Sequence, residues 1–214
     1  MQNKKTIILG LIAILLLTVV VWYSSKNRSE ITNQTASLLG IDNENEKITE
    51  LDDDFVYGDP LAPVTIIEYS SHLCGACANF HSVTLPLIIE NYVKTGKVKI
   101  ISRLVSHPAL SVAVLCAQDQ GAFWEANEYI FKNIETIQTV DNIKEIAGIL
   151  GLNQESFNEC FESEKYKDQI MKWFEQGEAD GSESTPTFII NGEMISGSQP
   201  YSIFESIIES KLSN

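Results

Sequence analysis

Positive charge is scarce in this chain. Its 214 residues hold 15 lysines and arginines against 29 aspartates and glutamates, a formal net charge of −14. Four of the basic residues, Lys4, Lys5, Lys26 and Arg28, fall within residues 1–28, which hold no acid. The rest of the chain therefore sets 11 basic against 29 acidic side chains, a balance of −18. Such a field repels phosphate backbones and anionic headgroups, which argues against nucleic acid as a partner. Solubility is the simplest reading of the acidity, ahead of recognition of basic substrates. Cysteine is scarce too: of four residues, only Cys74 and Cys77 form a close pair, while Cys116 and Cys160 stand 44 apart. A four-cysteine zinc site would usually bring a second close pair, so no metal is expected. No internal repeat is present.

Long apolar sequence is confined to one place. Residues 6–23 carry no charge, and these 18 residues, at about 1.5 Å each, span roughly 27 Å as a helix. The run ends in bulky Trp22-Tyr23, without the small residues of a cleavage site, and so reads as an uncleaved anchor. No cysteine lies near its end, which excludes a lipidated cysteine as the anchor. Basic residues flank it on both sides and favour a cytoplasmic N-terminus only weakly. Residues 29–54 are polar and acidic, ending in Asp52-Asp53-Asp54, and read as a flexible linker. The expected organisation is an anchor over 1–28, a linker over 29–54 and one domain over 55–214, long enough to bury a core.

Within that domain Val64-Thr65-Ile66-Ile67-Glu68-Tyr69 reads as a strand buried on both faces. A helix follows from about Cys74, with Pro86 as a kink, and residues 98–104 read as a second strand. Strand, helix and strand in this order predict a parallel crossover unit. From about 108 to 181 the spacing is helical throughout. Thr187-Phe-Ile-Ile190, the turn pair Asn191-Gly192 and Glu193-Met-Ile-Ser196 predict a hairpin. Residues 201–212 predict an amphipathic helix with Ile203, Phe204, Ile207 and Ile208 on one side. The fold class is therefore α/β: βαβ, an all-helical insertion, then ββα.

The chemistry sits at Cys74-Gly75-Ala76-Cys77, where a strand hands over to a helix N-terminus. There the free N–H groups and the helix dipole favour a thiolate, the attacking species in thiol–disulfide exchange, and Cys77 is one turn away to resolve a mixed disulfide. An inert disulfide rarely uses so tight a spacing. A C-x-x-C beside a βαβ unit reads as a redox motif.

Residues 58–70, Gly-Asp-Pro-Leu-Ala-Pro-Val-Thr-Ile-Ile-Glu-Tyr-Ser, resemble the opening of DsbA-like thiol–disulfide oxidoreductases of the thioredoxin superfamily. Gln120-Gly121-Ala122-Phe123-Trp124-Glu125, the Thr185-Pro186-Thr187-Phe188 segment and Gly197-Ser198-Gln199-Pro200-Tyr201 resemble later blocks of that family, so the likeness runs over about 58–212. It implies a thioredoxin fold and a protein disulfide oxidoreductase with no cofactor. It also implies a cis bond before Pro186, which would bring the Thr185 backbone beside the cysteines to pair with an extended substrate. Glu68 would lie beneath the site, with a raised pKa, and exchange protons with Cys77; a place at a solvent-facing strand end is the alternative. Cys116 and Cys160 are open between two buried thiols and one bridge; an oxidising compartment favours the bridge, and some DsbA-like proteins carry cysteines in these regions. The Gly75-Ala76 spacer departs from the family, many of whose members have a histidine there. His72 and His81 flank the pair, and a solvent or packing role is expected for both. Trp124 and Trp173 are expected in the core.

Together the N-terminal run and the cysteine pair lead to the expectation of an extracytoplasmic, single-pass membrane protein that oxidises thiols of unfolded secreted chains, and the resemblance adds its redox partner. A membrane oxidase of the DsbB or vitamin-K-reductase type would reoxidise it. Nothing predicts a dimerisation domain, so a monomer is expected. The rivals are a reductase or isomerase of the same fold, and a copper carrier using both thiols as soft ligands.

Overall fold

The computed structural model describes residues 50–105 and 108–213. The expected anchor and residues 29–49 of the expected linker lie outside the described residues. Among the described residues no helix is long and apolar enough to cross a membrane.

A two-residue strand, β1 (Val56–Tyr57), precedes β2 (Val64–Ser70), whose seven residues are all buried. Between them Gly58 adopts φ +107°, and a Cβ there would come within 2.8 Å of Val93 Cγ1 and 3.0 Å of the Val98 carbonyl oxygen, so only glycine fits. The helical segment after β2 is not the single kinked helix predicted. It alternates α1 (Gly75–Asn79), a π-helical turn (Phe80–Thr84), α2 (Leu85–Ile88) and a second π-helical turn (Ile89–Val93). Pro86 falls in the first turn of α2, where its missing N–H is tolerated, and the wider turn ahead of it absorbs the interruption.

β3 (Val98–Leu104) then pairs with β2 in parallel, Val64 opposite Val98 through Ser70 opposite Leu104. Five helices follow: α3 (Pro108–Gln118), α4 (Phe123–Asn133), α5 (Val140–Ile149), α6 (Gln154–Glu162) and α7 (Lys167–Ala179). Thr139 and Asn153 cap α5 and α6, accepting from the N–H groups of Asn142 at 3.2 Å and Ser156 at 2.9 Å. The chain returns as β4 (Thr187–Ile190), antiparallel to β2, turns at Asn191-Gly192, and forms β5 (Glu193–Ser196) and α8 (Tyr201–Leu212). Both turn residues have positive φ, 42° and 85°, as a tight hairpin requires. The sheet order is β1-β3-β2-β4-β5, which puts β2 at the centre.

Alternation along β2 sorts the core. Val64 and Ile66 join Phe80, Ile88, Phe188, Phe204 and Ile208 under α1, α2 and α8. Each of the three phenylalanines is at most 1% exposed, a burial that contributes about 1.5–3 kcal/mol per ring. Ile203, predicted on the same side of α8, is 43% exposed and stands off this core. Ile67 and Tyr69 point to the opposite face with Ile101 and Ile189. There Gly177 of α7 lets the Tyr69 ring approach, with 3.2 Å left for any Cβ. The helical insertion has its own core, including Val114, Phe123, Ile130, Phe157 and Trp173, and a Cys116–Cys160 disulfide ties α3 to α6 within it.

The folded unit also reaches back into the stretch read as a linker. Asp54 receives two hydrogen bonds from the fully buried Arg103, at 3.0 and 2.6 Å. Arg103 also donates to the Tyr69 hydroxyl, which donates to Asp180. The terminal acid of an apparently solvated run is thus the counter-ion of a buried arginine. Lys172 pairs with Asp53 at 3.0 Å, and Lys99 with Glu50 at 2.8 Å.

Candidate active site

β2 ends at Ser70, and the chain turns through Ser71, His72 and Leu73, closed by the Cys74 N–H donating to the Ser71 carbonyl at 3.0 Å. That turn leaves Cys74 as the N-cap of α1, with extended backbone (φ −94°, ψ 115°) and its sulfur accepting from the Cys77 N–H at 3.4 Å. A capping residue normally uses an oxygen for this; here the acceptor is the nucleophile. Cys74 is partly exposed and Cys77 fully buried, and neither is in a disulfide.

The Thr185–Pro186 bond is cis, and the thiol of Cys74 donates to the Thr185 carbonyl at 3.2 Å. Two segments 111 residues apart therefore meet at the reactive sulfur. Partial burial pushes the Cys74 thiol up, but hydrogen bonds to its sulfur from the Thr185 and Cys77 side chains and from the N–H groups of Cys77 and Ala76 outweigh it and hold the thiol below its ordinary value. Cys77 behaves oppositely. Burial pushes it up to about 12, with the Cys74 side chain and the charge of Glu68 adding to the rise and hydrogen bonding from the Ser71 backbone and the Ser70 side chain opposing it. One helical turn thus carries one thiol biased to ionise and one biased to keep its proton.

Glu68 is 0% exposed on β2, level with Ser102 of β3 and Phe188 of β4, so it does not occupy a solvent-facing strand end. Its Oε1 lies 3.0 Å from His81 Nε2. His81 is therefore neither solvated nor a mere packing element, although it stacks on Phe131 of α4 at 3.9 Å between centroids. His72 is buried as well, its Nε2 2.8 Å from Asn127 Oδ1 and its ring 4.5 Å from that of Phe131. The insertion thus supplies the wall between the two histidines. Asn127, Phe131 and Ser70 escaped sequence reasoning, which noted His81 but expected a solvent or packing role for it.

Beyond Thr185 lies a groove of about 550 Å³ lined by Val105, Phe174, Glu178 and Glu183 among others. Leu73, just ahead of Cys74, is 61% exposed. Among the described residues no set of three or more His, Cys, Asp or Glu side chains is assembled as a metal site.

A thiolate-prone cysteine over a buried partner thiol, met by a cis-proline loop on this α/β frame, defines a thiol–disulfide oxidoreductase. The sequence model of the family described as Thioredoxin matches residues 50–210, and the chain belongs to that family. Disulfide bond formation protein D of Bacillus subtilis is 26% identical over 176 residues, which cover 73% of this chain and 76% of that protein. A Rickettsia typhi protein whose name assigns it provisionally to the protein-disulfide oxidoreductases is 25% identical over 178 residues; the match covers 75% of this chain but only 66% of that protein. The crystal structure of Wolbachia pipientis alpha-DsbA1 superposes with a TM-score of 0.72 at 26% identity, covering 79% of this chain and 96% of that one. The domain is a DsbA-like member of the thioredoxin superfamily, a thioredoxin-like α/β fold with a helical insertion, and its reaction is dithiol–disulfide exchange.

Proposed function

We propose that this protein is an extracytoplasmic thiol oxidase, held at the membrane by residues 1–28, that introduces disulfides into unfolded secreted chains. The observation that carries the reading is the asymmetry of the pair: partly exposed Cys74 caps α1 and accepts from the Cys77 N–H, which favours its thiolate, while Cys77 is fully buried and kept protonated. Stabilising the Cys74 thiolate stabilises the reduced enzyme, and a stabilised reduced form makes the disulfide form an oxidant. The buried Cys116–Cys160 bridge supports an oxidising compartment.

In the oxidative half, a substrate thiolate attacks Cys74 Sγ, the Cys74–Cys77 bond breaks, and Cys77 leaves with the electron pair and takes up a proton. A second substrate thiolate then attacks the substrate sulfur of the mixed disulfide and expels Cys74 as its stabilised thiolate. The substrate loses two electrons and the enzyme gains them. Glu68, beneath Cys77, serves the proton step. The Thr185 backbone, beside the reacting sulfur, pairs with the extended substrate. A membrane oxidase of the DsbB or vitamin-K-reductase type returns the pair to the disulfide. The enzyme acts as a monomer.

One feature favours a weaker oxidant or a reductase: the Gly75-Ala76 spacer offers no imidazole to the Cys74 thiolate. The reduction potential of the pair separates the readings. A value near about −120 mV is expected, and one near about −270 mV, that of a thioredoxin-like reductant, would overturn the oxidase reading. In cells Cys77→Ala should trap secreted thiol proteins on Cys74, because the resolving thiol is gone. Capture of neither such proteins nor a membrane oxidase would defeat the role.

A further inference from the structure

Every cycle puts a proton on Cys77 and removes it, yet Cys77 is fully buried and so is Glu68. A carboxyl sealed from water performs one transfer and then needs a route by which to recharge. The structure holds one candidate. Glu68 Oε1 is 3.0 Å from His81 Nε2, while Glu68 Oε2 and His81 Nδ1 have no protein partner among the described residues. His81 is the outer member of the pair. It lines a cleft of about 380 Å³ between its own helical segment, at Asn79 and Ser82, and α4, at Glu128 and Lys132. Its ring is clamped by Phe131, stacked at 3.9 Å, and by Phe80, edge-on at 5.6 Å.

We propose that His81 is the positioning residue that aims Glu68 at Cys77 and exchanges the proton of Glu68 with water in this cleft. In the oxidative half, Glu68 gives its proton to the Cys77 thiolate. His81 Nε2 returns one to Glu68, and His81 Nδ1, buried in the resting structure, takes one from cleft water as its ring moves. During reoxidation each transfer reverses, so no oxidant or reductant beyond the exchange reaction is required. The charged and titratable groups around His81 are Glu68 from β2, Cys77 one turn earlier, the Glu128–Lys132 pair (2.8 Å) from α4, and His72 against the far side of Phe131. Among the described residues only Glu68 is in hydrogen-bonding contact with the ring. The paired Glu128 and Lys132 leave little net charge at the mouth.

The role rests on the exchange chemistry proposed above but not on its direction, since both directions move the Cys77 proton. Two rates on the full chain test it. Alkylation of reduced enzyme by iodoacetamide reports the Cys74 thiolate alone; reduction of the Cys74–Cys77 disulfide by dithiothreitol, acid-quenched, includes protonation of Cys77. In His81→Gln the reduction rate at pH 7 should fall by about 10²-fold, the lower end for a lost acid–base group, and free imidazole should restore part of it. The alkylation profile against pH should not move. Glu68→Gln should slow reduction similarly, with no further loss in the double variant. A reduction rate and pH profile equal to wild type, or equal loss of both rates, would overturn the role. Should His81→Gln not fold, wild type decides: internal exchange through His81 predicts a reduction rate independent of imidazole concentration, and a rate rising with buffer refutes it. A thioredoxin-like, reducing potential with the His81 effect intact would instead remove the oxidase reading and leave this one.

Discussion

Removing the Cys116–Cys160 bridge, as the double variant Cys116→Ala/Cys160→Ala, should cost the domain about 4–6 kcal/mol. The bridge closes a loop with a sequence separation of 44, and releasing that loop in the unfolded chain is worth about 4 kcal/mol by loop entropy. Both sulfurs are buried, at 0% and 7% exposure, so truncation also leaves voids of roughly methyl size, worth about 1 kcal/mol each at most. For a domain of this size the loss corresponds to a fall in Tm of roughly 10–20 °C. Urea unfolding separates the two contributions. Freeing the loop expands the unfolded chain and should raise the m-value, whereas voids in the native core lower the midpoint and leave m unchanged. The exchange rate of Cys74 should persist below the new Tm, because the bridge joins α3 to α6 and touches neither Cys74 nor Thr185. A loss near 1 kcal/mol with unchanged m, or both thiols found free in non-reduced peptide maps, would refute the reasoning.

Alkylation of Cys74 should titrate with a midpoint below the ordinary thiol value of 9, as its hydrogen bonds require; a midpoint at or above 9 contradicts them. The folded pKa of Cys77 is raised, so its contribution to the stability of the reduced protein is fully present below pH 9 and is lost as pH rises from 9 towards about 12. The lowered Cys74 works the other way, its contribution gained as pH rises towards 9. Urea midpoints of the reduced protein should therefore fall above pH 9, and Cys77→Ala should flatten that fall; an equal fall in the variant sinks the assignment. Asp54→Ala removes the bidentate partner of the fully buried Arg103 and should cost about 3–5 kcal/mol in urea unfolding. A cost under about 1 kcal/mol would mean that Asp180, 3.7 Å from Arg103, suffices as counter-ion.

What was legible in the sequence follows from the range of the forces involved. Strands β2, β3 and β4 announce themselves through apolar, β-branched runs, and the hairpin through Asn191-Gly192, because these signals are local. The Cys74 cap was legible for the same reason. Contacts made only by the assembled sheet were not. β1 has two residues and exists because β3 offers it an edge. Asp54 reads as the end of an acidic run until β3 places Arg103 beside it. His81 reads as bland until helix packing carries it to Glu68, 13 residues back in the chain. The π-helical turns lie between these cases: Pro86 signals an interruption but not how the chain absorbs it.

An enzyme that trades disulfides has to spare its own. The domain carries two cysteine pairs of opposite temperament. At one, sulfur sits at the surface with N–H groups turned towards it. At the other, Cys116 and Cys160 are sunk among the side chains of the insertion, at 0% and 7% exposure, where a nucleophile has little access. The helical layer is therefore an insulator as well as a scaffold, keeping a permanent bond out of circulation while the exchangeable one changes hands elsewhere in the same domain.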